Sequence, residues 1–475
     1  MSDTLWTSAD AAIATGGTNS IGWLASGISI DTRSLQPGDL FVALKAARDG
    51  HDFVDAAFKA GAAAALVSRP VAGGPTLLVD DVLPALEALG VAARARCSGT
   101  RTAVTGSVGK TSVKEMLAAI FSAAGPAHWP EKSFNNHWGV PLTLARMPQL
   151  TKRAVFEIGM STPGEIAPRS EMVRPHCGII TKIAAVHLKG LGTVDAIAAE
   201  KSDIFAGLEA GGVAILPADD KYLGYLKERA TSYCADAHCL TFGLAEDADA
   251  RVTSYEPQGH EAAAVINVLG TEVRLRLNAG GAHWAINAAA SILAAVAASD
   301  IEAADAAEAL SEFAPPPGRG QVLELALPSG GTATLVDDSY NANPTSMRAA
   351  LDALALRPAS RRLVALGEMG ELGADADQMH AGLATDIEIC GVSHAFLAGP
   401  GMEPLAKALL QTLPTTHKEK ASDLLDLIKN TLRDGDVLLI KGSNASGMGH
   451  IARALRDWGG PAPNKMVDAS RMGAG

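Results

Sequence analysis

The sequence predicts an α/β protein of three domains: a small N-terminal α/β domain, a central parallel-sheet domain with a phosphate loop, and a C-terminal Rossmann-like domain. Three observations predict it. A length of 475 residues suits about three domains. Short apolar runs alternate with amphipathic helical stretches, the pattern of parallel α/β sheets. Ala314-Pro315-Pro316-Pro317-Gly318-Arg319-Gly320 reads as a hinge, because consecutive prolines stiffen the chain and cannot continue a helix. The expected divisions are 1–98, 99–313 and 314–475.

In the first block, Asp31-Thr32-Arg33-Ser34 and Pro37-Gly38-Asp39 mark polar turns. Leu40 to Leu44 reads as a strand, Phe53 to Ala60 as a helix and Ala64 to Ser68 as the next strand. The second block opens on an apolar run ending at Val104. It holds two further buried strands, Ala154 to Ile158 and Cys177 to Ile183, and a helix around His283 to Ala298. Beyond the hinge, strands are expected at 335–337, 363–366, 395–398 and 437–440, with helices between them. From Pro463 on, the chain reads as a frayed tail.

Composition excludes several classes. An apolar share of 48% is enough for sizeable cores. A net charge of −12 without a basic block argues against non-specific nucleic-acid binding, which needs a cationic surface. Met1 to Trp6 lacks the basic start and apolar core of a secretory leader. The alanine-rich stretch 285–298 is broken by Asn287 and Ser291, so a buried helix is expected there and no membrane span. Five scattered cysteines fit a reducing cytoplasm without disulfides. Cys234, His238 and Cys239 lie close together, but without a second ligand pair no structural metal is expected there.

The most informative stretch is Thr105-Gly106-Ser107-Val108-Gly109-Lys110-Thr111-Ser112. It follows a strand and opens a helix whose apolar positions 113, 116, 117, 120 and 121 share one face. Such a turn wraps a phosphate with backbone N–H groups at the positive end of a helix. Lys110 can reach the outer phosphates, and the Thr111 hydroxyl can ligate magnesium. The motif departs from the usual form, since Val104 stands where a first glycine would be.

Glu157 lies in an otherwise apolar strand, so it is either a magnesium ligand beside the phosphates or half of a structural salt bridge. His187 follows the strand at 178–183. It is either placed near the phosphates or an ordinary loop residue. Lys201 lies in a helical segment, and its spacing predicts only a solvated surface lysine. Asp337-Asp338-Ser339-Tyr340-Asn341-Ala342-Asn343-Pro344 is denser in polar groups than a turn requires. Lys441-Gly442-Ser443 follows another strand in the same way.

Together these segments resemble the Mur ligase family over nearly the whole chain. The matching pieces are 105–112, Asn135-Asn136-His137-Trp138-Gly139-Val140-Pro141, Glu157-Ile158-Gly159-Met160, His187-Leu188, Lys201, Pro317-Gly318-Arg319 and 337–344. The last motif, and Gly367-Glu368-Met369-Gly370-Glu371-Leu372-Gly373 with His380 downstream, are similar to the member that adds D-alanyl-D-alanine to UDP-N-acetylmuramoyl-tripeptide.

The resemblance implies an ATP-dependent amide ligase of cell-wall precursor synthesis, monomeric and cytoplasmic, working through an acyl phosphate. It implies that Thr32, Arg33 and Ser34 meet the UDP end of the substrate, and that Asn135, Asn136 and Asn341 also contact substrate. Gly106 to Ser112, Asn287, Arg319 and Asp338 would bind ATP, with Asp338 and Asn341 positioning either nucleotide or dipeptide. Two Mg2+ ions are implied, one on Thr111 and Glu157. The other is on His187 and a carbamylated Lys201, with Glu157 as a further candidate. One departure is His283-Trp284-Ala285-Ile286-Asn287, where the family usually has His-Asn-x-x-Asn against adenine. Trp284 would either stack or pack.

The competing readings are a sibling amide ligase or a folylpolyglutamate synthase, a nucleotide-driven switch, and an inactive scaffold. The 31–34 turn speaks against the folate enzyme, and the polar clusters of the third block against the switch. The intact set of Lys110, Thr111, Glu157, His187 and Lys201 speaks against the scaffold.

Overall fold

The computed structural model describes residues 4–131, 133–258, 261–278 and 280–459; the tail expected from Pro463 on lies outside the described residues. The N-terminal block builds a five-stranded sheet in the order Thr18–Asn19, Thr76–Leu78, Ala64–Val67, Asp39–Val42, Gly27–Ser29. Its last four strands run parallel. Leu40 to Val42 and Ala64–Val67 are buried throughout, as continuous apolar runs in a parallel sheet should be. The helix expected over 53–60 begins with a tighter turn, Gly50–Phe53, and continues as Val54–Lys59. Trp6 ties this block to the next, its indole N–H donating to the Ala145 carbonyl at 2.8 Å.

The central sheet has nine strands. Ala127–His128, Arg153–Glu157, Thr100–Thr105, Cys177–Ile180, Val213–Pro217, His238–Gly243 and Ala250–Gln258 are neighbours in that order and run parallel. Glu261–Val268 and Thr271–Leu277 add an antiparallel meander. Their residues alternate between buried and accessible, the mark of a sheet with one face on the core. The strand expected over 177–183 ends at Ile180. Beyond it the Lys182 carbonyl accepts the Ser107 N–H at 2.8 Å, and the Ile183 N–H donates to Asp220 Oδ2 at 2.9 Å. The chain leaves the sheet there to line the phosphate loop.

The helix Ala282–Ser299 is long and apolar enough to cross a membrane, the one such helix among the described residues, but it is 67% buried inside the protein. It packs on the sheet and on the helix Lys110–Ala123. The proline segment carries no helix or strand, and the third sheet follows it. Its order is Gln321–Ala326, Thr332–Asp338, Asp436–Lys441, Arg361–Gly367, Val392–Ala398, Thr415–Lys418. Only the first pairing is antiparallel. Asp338 and Lys441 stand side by side in register at the ends of two neighbouring strands.

Candidate active site

The strand Thr100–Thr105 lies between Arg153–Glu157 and Cys177–Ile180. Strand order reverses there, so the carboxyl ends open a crevice. Gly106 and Gly109 hold φ of +147° and +84°. A Cβ at Gly106 would lie 1.9 Å from Thr181 Oγ1, and one at Gly109 2.9 Å from Asn287 Oδ1. The loop is thus packed against its neighbours through its missing side chains. Val104 is compatible with it because that residue lies within the strand, fully buried, opposite Glu157.

The Ser107 hydroxyl donates to the Ala184 carbonyl at 3.0 Å and accepts the Ala184 N–H at 2.9 Å. The Val108 carbonyl accepts the Thr181 hydroxyl. Lys110 Nζ donates to the Gly106 carbonyl at 2.7 Å. Burial pushes the Lys110 ammonium below its ordinary pKa, with Glu157 opposing and Arg319 adding to the shift.

Glu157, only 2% exposed, takes one hydrogen bond on each oxygen. Thr111 Oγ1 donates to Oε2 at 2.8 Å, and Asn135 Nδ2 donates to Oε1 at 2.8 Å. Neither partner is a cation, so the salt-bridge alternative is dropped, and each oxygen keeps a lone pair for another ligand. Ser133, absent from the expected set, lies 3.4 Å from both the Thr111 hydroxyl and the Arg319 guanidinium. Its signal was its place just ahead of Asn135-Asn136.

Lys201 corrects the expectation of a solvated lysine. It is 1% exposed, and among the described residues its ammonium has no hydrogen bond or ion pair. Burial first, and the charge of Lys110 second, push its pKa well below the ordinary lysine value, with Glu200 opposing. The neighbouring Glu200 carboxylate is committed elsewhere. It accepts the N–H groups of Gly164, Glu165 and Ile166 at 2.7, 2.8 and 2.9 Å.

A cavity of about 640 Å³ gathers most of the expected residues. Ser107 to Ser112, Glu157 and His187 line one part, with Asn135, Asn136 and Asn287. Arg319, Asp338, Asn341 and Lys441 line it from the third block. Gly106 and Lys201 do not line it, nor do Thr32, Arg33 and Ser34. Arg33 instead pairs with Asp31 at 2.6 Å on an exposed turn.

Several of these side chains have evident local duties. The Asn136 Oδ1 accepts the Gly139 N–H at 2.9 Å at a helix start. Asn341, exposed, accepts the Ala342 N–H at 2.9 Å. Trp284 is packed, 2% exposed, with its ring centroid 6.0 Å from Phe313, while also touching the cavity. Burial and Lys441 push the His283 imidazole down to about 4. His380 is buried and used at both ring nitrogens, accepting the Met369 N–H at 2.9 Å and bonding the Ala376 carbonyl at 2.8 Å.

In the third block, Lys441 Nζ donates to Asp338 Oδ2 at 2.5 Å and to the Asn341 carbonyl at 3.0 Å. Burial raises the Asp338 carboxyl, and Lys441 and Arg319 oppose the rise. The Arg319 guanidinium lies 3.9 Å over the Tyr340 ring. Glu371 does not line the cavity but bonds Nδ1 of His187, which does.

Among the described residues no group of three or more His, Cys, Asp and Glu is gathered for a metal. Magnesium needs no such cage, since it keeps waters and binds one or two carboxylates together with substrate phosphates. The spare lone pairs of Glu157 beside the Thr111 hydroxyl suit that mode.

Known proteins are similar in sequence and fold. Three family models match: "Mur ligase family, catalytic domain" over residues 25–119, "Mur ligase middle domain" over 104–295, and "Mur ligase, glutamate ligase domain" over 318–444. The UDP-N-acetylmuramoyl-tripeptide–D-alanyl-D-alanine ligase of Escherichia coli (strain K12) is 35% identical over 91% of this chain and 94% of its own length. Its counterpart from Bacillus subtilis (strain 168) is 33% identical over 90% and 93%. The crystal structure of MurF from Acinetobacter baumannii is 30% identical, covers 95% of this chain and 99% of its own, and superposes with a TM-score of 0.82. Identity of this extent across nine tenths of the chain, with the phosphate loop and the third-block polar cluster facing one cavity, means that the chain belongs to the Mur ligase family.

Proposed function

We infer that this protein is an ATP-dependent ligase joining D-alanyl-D-alanine to UDP-N-acetylmuramoyl-tripeptide in cytoplasmic peptidoglycan precursor synthesis. One observation carries the reading: the phosphate loop and the Asp338–Lys441 pair face a single cavity in a chain similar along nine tenths of its length to enzymes of that name. Residues 1–98, with Thr32, Arg33 and Ser34, take the UDP end. Residues 99–313 bind ATP, and residues 314–475 bring the remaining contacts. The enzyme acts as a monomer.

The tripeptide carboxylate attacks the γ-phosphorus of ATP, and ADP leaves. The amine of the dipeptide attacks the acyl phosphate carbonyl and loses a proton, and phosphate leaves as the amide forms. The first step brings two anions together, so charge compensation dominates the barrier. Lys110 and Arg319 place positive charge on the phosphates. Asn287 meets the adenine, while Asp338 and Asn341 orient nucleotide or dipeptide. Asn135 and Asn136 hold the substrate side of the cavity. Bound magnesium supplies Lewis acidity and further charge neutralisation. Thr111 and Glu157 would hold one ion, and His187 with a carbamylated Lys201 a second. Carbamylation needs a neutral amine and carbon dioxide, and the lowered pKa of Lys201 supports that state.

The test is phosphate release from ATP with UDP-N-acetylmuramoyl-tripeptide, with and without D-alanyl-D-alanine. Release that needs both, with the ligated product seen by mass, is expected. Release indifferent to the dipeptide would reject the assignment. Lys110→Ala should abolish turnover in the same assay.

A further inference from the structure

His187 and Glu371 are separated by 184 positions and meet where the third block touches the central one. A Glu371 carboxylate oxygen bonds His187 Nδ1. Beside this bond, the Lys189 N–H donates to the Glu371 carbonyl at 3.3 Å. Both residues hold positive φ, +53° at His187 and +60° at Glu371. Among the described residues five non-glycine residues do so, and two of the five face each other here. A side chain of L configuration stays in that region only where its surroundings hold it. Leu372, 3% exposed, anchors the loop next to Glu371, while the Glu371 side chain itself is half exposed.

The chemistry of the bond is directional. An ionised carboxylate only accepts, so Nδ1 carries the hydrogen. In the neutral ring, Nε2 then keeps its lone pair. The ring lines the cavity, so a free Nε2 is available to a cation there.

We propose that Glu371 is a positioning residue: contributed by the third block, it selects the His187 tautomer whose Nε2 can ligate a cation, and so couples docking of that block to assembly of the site. This rests on the reading of His187 as a metal ligand given above. Nothing in the sequence of either segment signals the pairing, which exists only once the two blocks meet. A carboxylate that orients a histidine ligand in this way typically contributes tenfold to a hundredfold in metal affinity.

The test uses the full-length protein with a non-hydrolysable ATP analogue and Mn2+ as the probe. Mn2+ binding is read by electron paramagnetic resonance, and the His187 tautomer by ring 15N shifts. Glu371→Ala should weaken Mn2+ binding by about 10- to 100-fold and lose the Nδ1–H tautomer. Glu371→Gln keeps an acceptor oxygen and should recover most of both, which a role in packing alone would not require. In turnover, kcat should fall while the KM for ATP holds. Unchanged Mn2+ affinity and tautomer in Glu371→Ala would overturn the proposal. His187→Ala separates the two levels. If it weakens Mn2+ binding while Glu371→Ala does not, only the positioning role falls. If it leaves Mn2+ binding unchanged, the ligand assignment falls, and the positioning role with it.

Discussion

Lys201 occupies surroundings that an ordinary lysine avoids. Burying an ammonium without a partner is costly, and such a group sheds its charge instead. Lys110 adds like-charge repulsion to that desolvation. Both effects favour the neutral amine, the form able to take up carbon dioxide. Lys201→Ala is therefore expected to cut kcat by about 100-fold or more, the size of one lost charge-stabilising group. A small carboxylate added to the variant should restore part of the rate, and carbon-dioxide-depleted buffer should slow the wild type until bicarbonate is returned. A variant with wild-type activity would reject the carbamate. None of this was legible locally, because the 198–205 segment has the composition of a surface helix and its burial comes from packing of distant parts of the chain. Glu157 was the opposite case. A lone acid in an apolar strand is a local anomaly, and the structure keeps it buried with partners that leave it free to bind a cation.

At the scale of elements, the phosphate loop shows why its glycines are required. Gly109→Ala would force an L side chain into a left-handed conformation, which costs about 1–2 kcal/mol, and would press its Cβ on Asn287 Oδ1. The expected outcome is a stability loss of that size in urea unfolding, with weakened ATP binding. Gly106→Ala should be worse, since its Cβ would lie 1.9 Å from Thr181 Oγ1. The edge strand Ala127–His128 gives a pH-dependent case. His128 Nε2 donates to the Thr143 carbonyl at 2.7 Å, and burial pushes its pKa down to about 4. The unfolded chain binds the extra proton between pH 6.5 and about 4, so this contribution is complete above 6.5 and lost as pH falls through that window. His128→Gln keeps a donor and removes the titration. Its urea midpoint should fall less between pH 7 and 5 than that of the wild type; equal falls would reject the assignment. Strands and helices of the parallel sheets were legible because continuous apolar runs and 3.6-residue periods are local signals. The antiparallel strands Glu261–Val268 and Thr271–Leu277 were not anticipated, although their alternation is a local signal of half-buried strands.

Across the whole molecule, the question is which part carries Arg319 into the site. It follows the proline segment and touches both sides: Ser133 of the central block and Tyr340 of the third. The two contacts are unequal. A 3.4 Å approach between Arg319 Nη2 and Ser133 Oγ lies beyond the usual hydrogen-bond distance. A guanidinium 3.9 Å over an aromatic ring is well inside cation–π range, worth about 0.5–2 kcal/mol according to exposure. Gly318 fixes the same geometry, since at φ +78° its carbonyl accepts the Tyr340 N–H at 2.9 Å. Arg319 is therefore held more firmly by the third block than by the central one. Double-mutant cycles on kcat/KM for ATP separate the two contacts. Arg319→Ala with Tyr340→Ala should show a coupling of about 0.5–2 kcal/mol, because removing the ring misplaces the guanidinium. Arg319→Ala with Ser133→Ala should be additive to within about 0.5 kcal/mol. The reverse ranking would mean that Arg319 is held by the central block instead.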